Sequence, residues 1–259
     1  MFGWVVCGAM ALGGSVLVGA CSDGAQDDQD SAANGINCDV KLDRLTVDKL
    51  VGISISEPTR VAITAKEKAR HLNELNLLAP ELLAVFVDQR IPVYLTGGSV
   101  TNFAEWASLR GQVPRGWEGT GYTWDKVPGT GTEDGLFLGD SAKPNNAASL
   151  SIHEGTHSID RALDFSTRST KLNELYRQEL ARPVVSADAN ARYRRSNIEE
   201  FLAVAVDEYY CSSKTRATLL ARTMGSGVTL REAIAALEGL PNDAPERMIA
   251  GPAIVRLRV

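Results

Sequence analysis

Two of the three histidines in this 259-residue chain stand in one short run, His153-Glu154-Gly155-Thr156-His157. On an α-helix, residues i and i+4 share a face, so both imidazoles can reach a single metal ion. The glutamate beside the first histidine then points next to that metal, where it can take a proton from water. His153 and His157 are therefore candidate ligands to one zinc ion, and Glu154 is the candidate general base of a hydrolytic reaction. The plainer alternative is a solvent-facing histidine pair on a core helix.

A third ligand must come from elsewhere in the chain. A pattern with Gly three residues and His six residues beyond His157 is absent, because Asp160 and Leu163 occupy those positions. No histidine follows His157, which leaves a carboxylate as the third donor. The best source is the run Ser196-Asn197-Ile198-Glu199-Glu200-Phe201-Leu202-Ala203-Val204-Ala205-Val206. Ser196 with Glu199 three residues on reads as a capping box. Glu200 is then left beside an apolar helix, where an ionised carboxylate is costly unless it meets a cation. The reverse assignment, with Asn197 as the cap and Glu200 in the box, is the alternative.

The helix with His-Glu-x-x-His, then Tyr193, six residues, and Glu200-Phe201-Leu202-Ala203-x-Ala205 resembles the catalytic domain of anthrax lethal factor. It equally resembles the secreted Pro-Pro endopeptidases of the same clan. The loop from Pro114 to Gly129, with Trp117, Tyr122 and Trp124, is similar as well. This resemblance implies zinc ligands His153, His157 and Glu200, with Glu154 as general base. It also implies that the hydroxyl of Tyr193 stabilises the tetrahedral intermediate. The family usually carries a second acidic residue four after the ligand glutamate, where this chain has Val204. A supporting carboxylate is then either missing, which would weaken activity rather than zinc binding, or supplied by Asp160 or Asp207.

The elements that hold these residues can be read from spacing. Residues 147–164 form the metal helix, with Asn145 and Asn146 after Pro144 as its cap and Ala148, Ile152, Ile159 and Leu163 as its apolar stripe. Helices are expected at 63–78, from Glu81 to Gln89, and at 101–110, 168–181, 198–212, 214–223 and 229–238. Residues 91–96 and 136–138 read as strands. Between them, 111–134 reads as a long structured loop, with Gly129-Thr130-Gly131 as its hinge. The strand at 135–139 is expected at a sheet edge, where an extended peptide can pair with it. His71 is expected to be solvated, and Trp106, Trp117 and Trp124 to pack the loop. The fold class is α+β and zincin-like: a small N-terminal sheet, an active-site helix and a mostly helical C-terminal half.

With 27 Lys+Arg against 32 Asp+Glu, a net charge of −5 gives no reason to expect nucleic-acid binding. Four of those acids lie in residues 22–35, a polar stretch that cannot bury enough surface to fold and reads as a disordered tether (21–35). Residues 1–20 carry no charged side chain and end in small residues before Cys21, like a bacterial lipoprotein signal. The expectation is an exported enzyme, lipid-anchored with membrane contact through Cys21 or else secreted, with one metallopeptidase domain over 36–259. A monomer acting on peptide or protein substrates is expected. The rival reading is a zinc-binding surface lipoprotein that serves as a binding module. Cys38 and Cys211 remain, either paired or as two buried thiols.

Overall fold

The computed structural model describes residues 38–41, 44–114, 119, 121–140, 148–183 and 191–223. The signal, the tether, Asn145, Asn146, Trp117 and the helix expected at 229–238 lie outside the described residues. The order is β1 (Ile55–Ser56), α1 (Ala65–Leu75), α2 (Pro80–Asp88), β2 (Val93–Leu95), β3 (Gly129–Thr132), β4 (Gly135–Leu138) and α3 (Leu150–Leu163). Then come α4 (Phe165–Arg168), α5 (Thr170–Ala181), α6 (Ala191–Arg194), α7 (Ile198–Cys211) and α8 (Ser213–Thr223). The α+β class is as expected.

The sheet order is β1-β2-β4-β3, with β1, β2 and β4 parallel and β3 antiparallel to β4. The strand at 135–139 is thus interior, not at the edge position expected, and the edge beside α3 is β3, within the segment expected to be a loop. The reason is steric. Gly129 and Gly131 alternate toward α3, and a Cβ built on Gly131 would stand 1.9 Å from the carbonyl oxygen of Glu154. Only a strand without side chains on that face can lie against the helix backbone. These glycines serve close approach, and they belong to a strand rather than to a hinge.

Leu136 and Leu138 on β4, Leu75 and Leu82 on α1 and α2, Ile152 and Ile159 on α3, and Leu202 and Val206 on α7 form one buried core. Helix α3 is therefore sandwiched between sheet and α7. Its cap is Ser149, whose hydroxyl accepts from the N–H of Ile152, so the helix begins at Leu150 rather than 147. The Asp207 carboxylate accepts the N–H groups of Ala148 and Ser149 just before it. Residues 101–110 are two 3₁₀ stretches, Val100–Asn102 and Ala104–Leu109, instead of an α-helix. There, Trp106 stacks on Trp124 with ring centroids 5.9 Å apart, which is the packing role expected of both.

Cys38 and Cys211 are joined by a disulfide, with their Cα atoms 4.3 Å apart. The N–H of Asp39 donates to the carbonyl of Cys211 at 2.8 Å, and Asp39 Oδ2 accepts the N–H of Ser213. The start of the described chain is thereby sealed against the end of α7.

Candidate active site

Helix α3 presents His153 and His157 one turn apart, with ring centroids at 4.9 Å. Glu200 enters from the first turn of α7, and its Oε2 lies 3.1 Å from Nε2 of His153 and 3.5 Å from Nε2 of His157. One donor atom from each of the three residues falls within 4.8 Å of the others. Zinc held by nitrogen and oxygen at about 2.0–2.2 Å in a tetrahedron needs donors about 3.4 Å apart, so the set fits that ion in chemistry and spacing. All three residues expected to bind metal are brought together.

Asn197, not Ser196, caps α7: its Oδ1 accepts from the N–H of Glu200 at 2.7 Å. Asn197 is the last extended residue before the helix, and the Ser196 hydroxyl instead donates back to the carbonyl of Tyr193. The register of the expected box was off by one, yet Glu200 still points at the histidines. Its side chain does not fold back to the helix end as a box glutamate would.

Electrostatics within the cluster are strongly coupled. Burial opposes the charge on Glu200, but hydrogen bonds and charge from His153 and His157 hold its carboxyl well below the usual range. Burial likewise opposes the His153 imidazolium, but Glu200, with Glu154 and Asp207, raises its pKa to about 9. The two residues form an ion pair, and a metal ion bound there would take the place of the proton.

Tyr193 reaches the cluster from α6, its hydroxyl 3.3 Å from Nε2 of His153. Burial first, and then the charges of Glu200 and Glu154, push this phenol well above its ordinary value. It remains a hydrogen-bond donor at neutral pH. Glu154 lies on the sheet side, where its Oε2 accepts the N–H of Gly131 at 3.0 Å. Arg161, two turns along α3, donates to the carbonyl of the same glycine. Sequence reasoning missed both of these edge-strand contacts. The alternation Gly129-Thr130-Gly131 was the available signal, since small residues at period two mark a close backbone approach.

Neither acid weighed as a support for the ligands bonds to an imidazole. Asp160 accepts the N–H of Ser166, and Asp207 accepts the two N–H groups before α3. Nδ1 of His153 is buried and makes no hydrogen bond among the described residues. Asp207 favours the imidazolium of this ring only in its ionised form, which burial disfavours. His71 is fully buried, contrary to the solvated position expected: Nδ1 meets Ser151 Oγ at 2.8 Å and Nε2 meets the Gly139 carbonyl at 2.7 Å. The Lys and Arg residues around it in sequence lie on other faces of α1.

Residues 46–223 match the family model described as anthrax toxin lethal factor, N- and C-terminal domain. The chain belongs to this lethal factor family. It is 30% identical over 181 residues to a Pro-Pro endopeptidase of Paenibacillus alvei, covering 67% of this chain and 77% of that one. It is 33% identical over 152 residues to a Pro-Pro endopeptidase of Clostridioides difficile, covering 57% and 67%. The solved structure of the Pro-Pro endopeptidase PPEP-2 from Paenibacillus alvei superposes with a TM-score of 0.59 at 28% identity, over 73% of this chain and 98% of that one. As a member of the lethal factor family, this chain is a zinc-family metalloendopeptidase, and its substrates are peptides or proteins.

Proposed function

We propose that His153, His157 and Glu200 hold one zinc ion, that Glu154 is the general base, and that Tyr193 is the oxyanion donor. The observation that carries this reading is the convergence of His153, His157, Glu200 and Tyr193 from α3, α6 and α7, with Glu154 next to His153 on the same helix. Bound there, zinc supplies Lewis acidity, which makes water an effective nucleophile near neutral pH and polarises a carbonyl. Glu154 takes the proton of the attacking water and passes it to the leaving amine. Tyr193 stays protonated and donates to the oxygen that gains charge. An extended peptide adds to the sheet along the outer edge of β3, where it takes over the N–H and carbonyl of Gly131 that Glu154 and Arg161 hold in the free protein. The bond between two prolines is the first to test, because both relatives are Pro-Pro endopeptidases.

The enzyme works outside the cytoplasm in this reading. A disulfide between Cys38 and Cys211 suits an oxidising compartment, and the apolar run before Cys21 suits export with a lipid anchor. Zinc content measured beside cleavage of a peptide library, with Pro placed on either side of the cut, tests the activity. One zinc with cleavage is expected; one zinc with no cleavage leaves a binding module. Cys21→Ser should release the protein from the membrane fraction, and retention there would remove the anchor from the reading.

A further inference from the structure

The turn that carries Tyr193 is fastened to α5 by a buried ion pair. Arg194 is 2% exposed and Glu179 7%. Nε of Arg194 donates to Oε1 of Glu179 at 3.0 Å, and Nη2 lies 2.9 Å from the same oxygen. Two further contacts flank the pair. Arg195 donates through Nη1 to the carbonyl of Arg182 at 3.1 Å, and Tyr176 donates its hydroxyl to the carbonyl of Arg195 at 2.9 Å.

A buried ion pair is a poor device for stability alone. Desolvating two charges offsets most of their attraction, and apolar residues of equal volume often do as well. Its position offers a better reason. Helix α6 is only four residues long, too short to hold its own orientation through internal hydrogen bonds. Consecutive side chains on a helical turn project about 100° apart. Locking the direction of Arg194 therefore fixes the rotation of the turn, and with it the direction of Tyr193. Ser196 closes the same turn by donating to the Tyr193 carbonyl at 2.7 Å.

We propose that Glu179 and Arg194 are positioning residues for Tyr193: neither touches substrate, and their ion pair holds the Tyr193 hydroxyl at the His153–His157–Glu200 cluster. This rests on the reading of Tyr193 as oxyanion donor. Because the contribution of that hydroxyl grows in the transition state, its misplacement lowers kcat and leaves KM in place.

The test is a double-mutant cycle in the full chain, using a peptide cleaved by the parent protein. Glu179→Gln, Tyr193→Phe and the double variant are compared in kcat, KM, zinc stoichiometry and unfolding midpoint. Glu179→Gln should lower kcat by about 10- to 100-fold, the loss that a displacement of about 1 Å brings. KM and zinc stoichiometry should hold. The double variant should be no slower than Tyr193→Phe, since a misplaced residue that is already disarmed costs nothing more. If the two losses multiply, the pair does not act through Tyr193, and the proposal is overturned while the role of Tyr193 stands. Full turnover in Tyr193→Phe overturns the oxyanion reading itself, and this proposal with it. Should Glu179→Gln fail to fold, the paired change Glu179→Met with Arg194→Met replaces the charges by apolar volume. A folded Met pair with unchanged kcat also overturns the proposal.

Discussion

The backbone N–H of Gly131, on the sheet edge, donates to Oε2 of Glu154, on the metal helix, across 3.0 Å. The strand can come this close because Gly131 has no side chain: a Cβ there would lie 1.9 Å from one backbone atom of α3 and 2.9 Å from two others. Gly131→Ala should push β3 off α3 and cost about 1–3 kcal/mol of overpacking. Gly129→Ala meets only side-chain atoms of Leu150 and Glu154, at 3.0–3.2 Å, and should cost less. Denaturant unfolding of both variants checks the order. Equal stability would show that the strand is not held against the helix backbone.

Glu154→Gln should keep metal and fold but lose turnover by about 100-fold or more. The amide oxygen can still accept from Gly131, so the local structure survives, while a neutral amide cannot take a proton. Metal analysis beside a peptide assay decides it, and near-native turnover would rule out Glu154 as the base.

Three neighbouring changes at the start of α7 should separate by role. Glu200→Ala should lose zinc at neutral pH, because it removes a donor facing both imidazoles. Asn197→Ala should keep zinc and cost about 0.5–2 kcal/mol, the loss of a helix cap. Glu199→Ala should do neither. Zinc titration and unfolding of the three variants give the answer, and an empty site in Glu199→Ala would reverse the assignment of the two glutamates.

Reducing the Cys38–Cys211 bond, or replacing both residues by Ser, should cost about 2–5 kcal/mol, since the bond closes a separation of 173 residues. The unfolding midpoint with and without reductant measures this. A midpoint that ignores reductant would leave the bond without a stabilising role.

Stability should also fall as pH rises from about 6.5 to 8. Burial raises Glu74 from 4.5 to about 7 against hydrogen bonds from Ser149 and Ser151. Burial raises Asp207 from 3.8 to about 8 against the charge of His153 and the N–H groups of Ala148 and Ser149. The folded chain thus keeps protons that the unfolded chain has released. That stabilisation is complete below the unfolded values and disappears as pH passes the folded ones. His71, lowered to about 4 by burial, works in the opposite sense, but its effect is finished above its ordinary 6.5. In chelated protein His153, raised to about 9, adds to the fall. Thermal unfolding of the metal-free protein across this window should lose on the order of 4 kcal/mol. A midpoint that climbs with pH would contradict the burial of these two carboxyls in the protonated form.

What was legible in the sequence was whatever a single element decides. The i, i+4 spacing of His153 and His157 places both rings on one face of any α-helix, whatever surrounds it. The apolar run after Glu200 made that carboxylate anomalous for the same local reason. Contacts between elements were another matter. Whether Ser196 or Asn197 caps α7 depended on where the chain leaving α6 turns into α7, with Ser196 bonded back to Tyr193 and Asn197 the last extended residue. Whether His71 is solvated depended on which face of α1 meets Ser151 and Gly139. The sheet edge fell to β3 rather than β4 because strand order is a matter of pairing partners, and period-two patterning does not encode partners. The pairing of Cys38 with Cys211 and of Glu179 with Arg194 needed residues far apart in sequence to approach within bonding distance. Local spacing determines which side chains can share a face; only the packing of faces against one another determines what each side chain meets there.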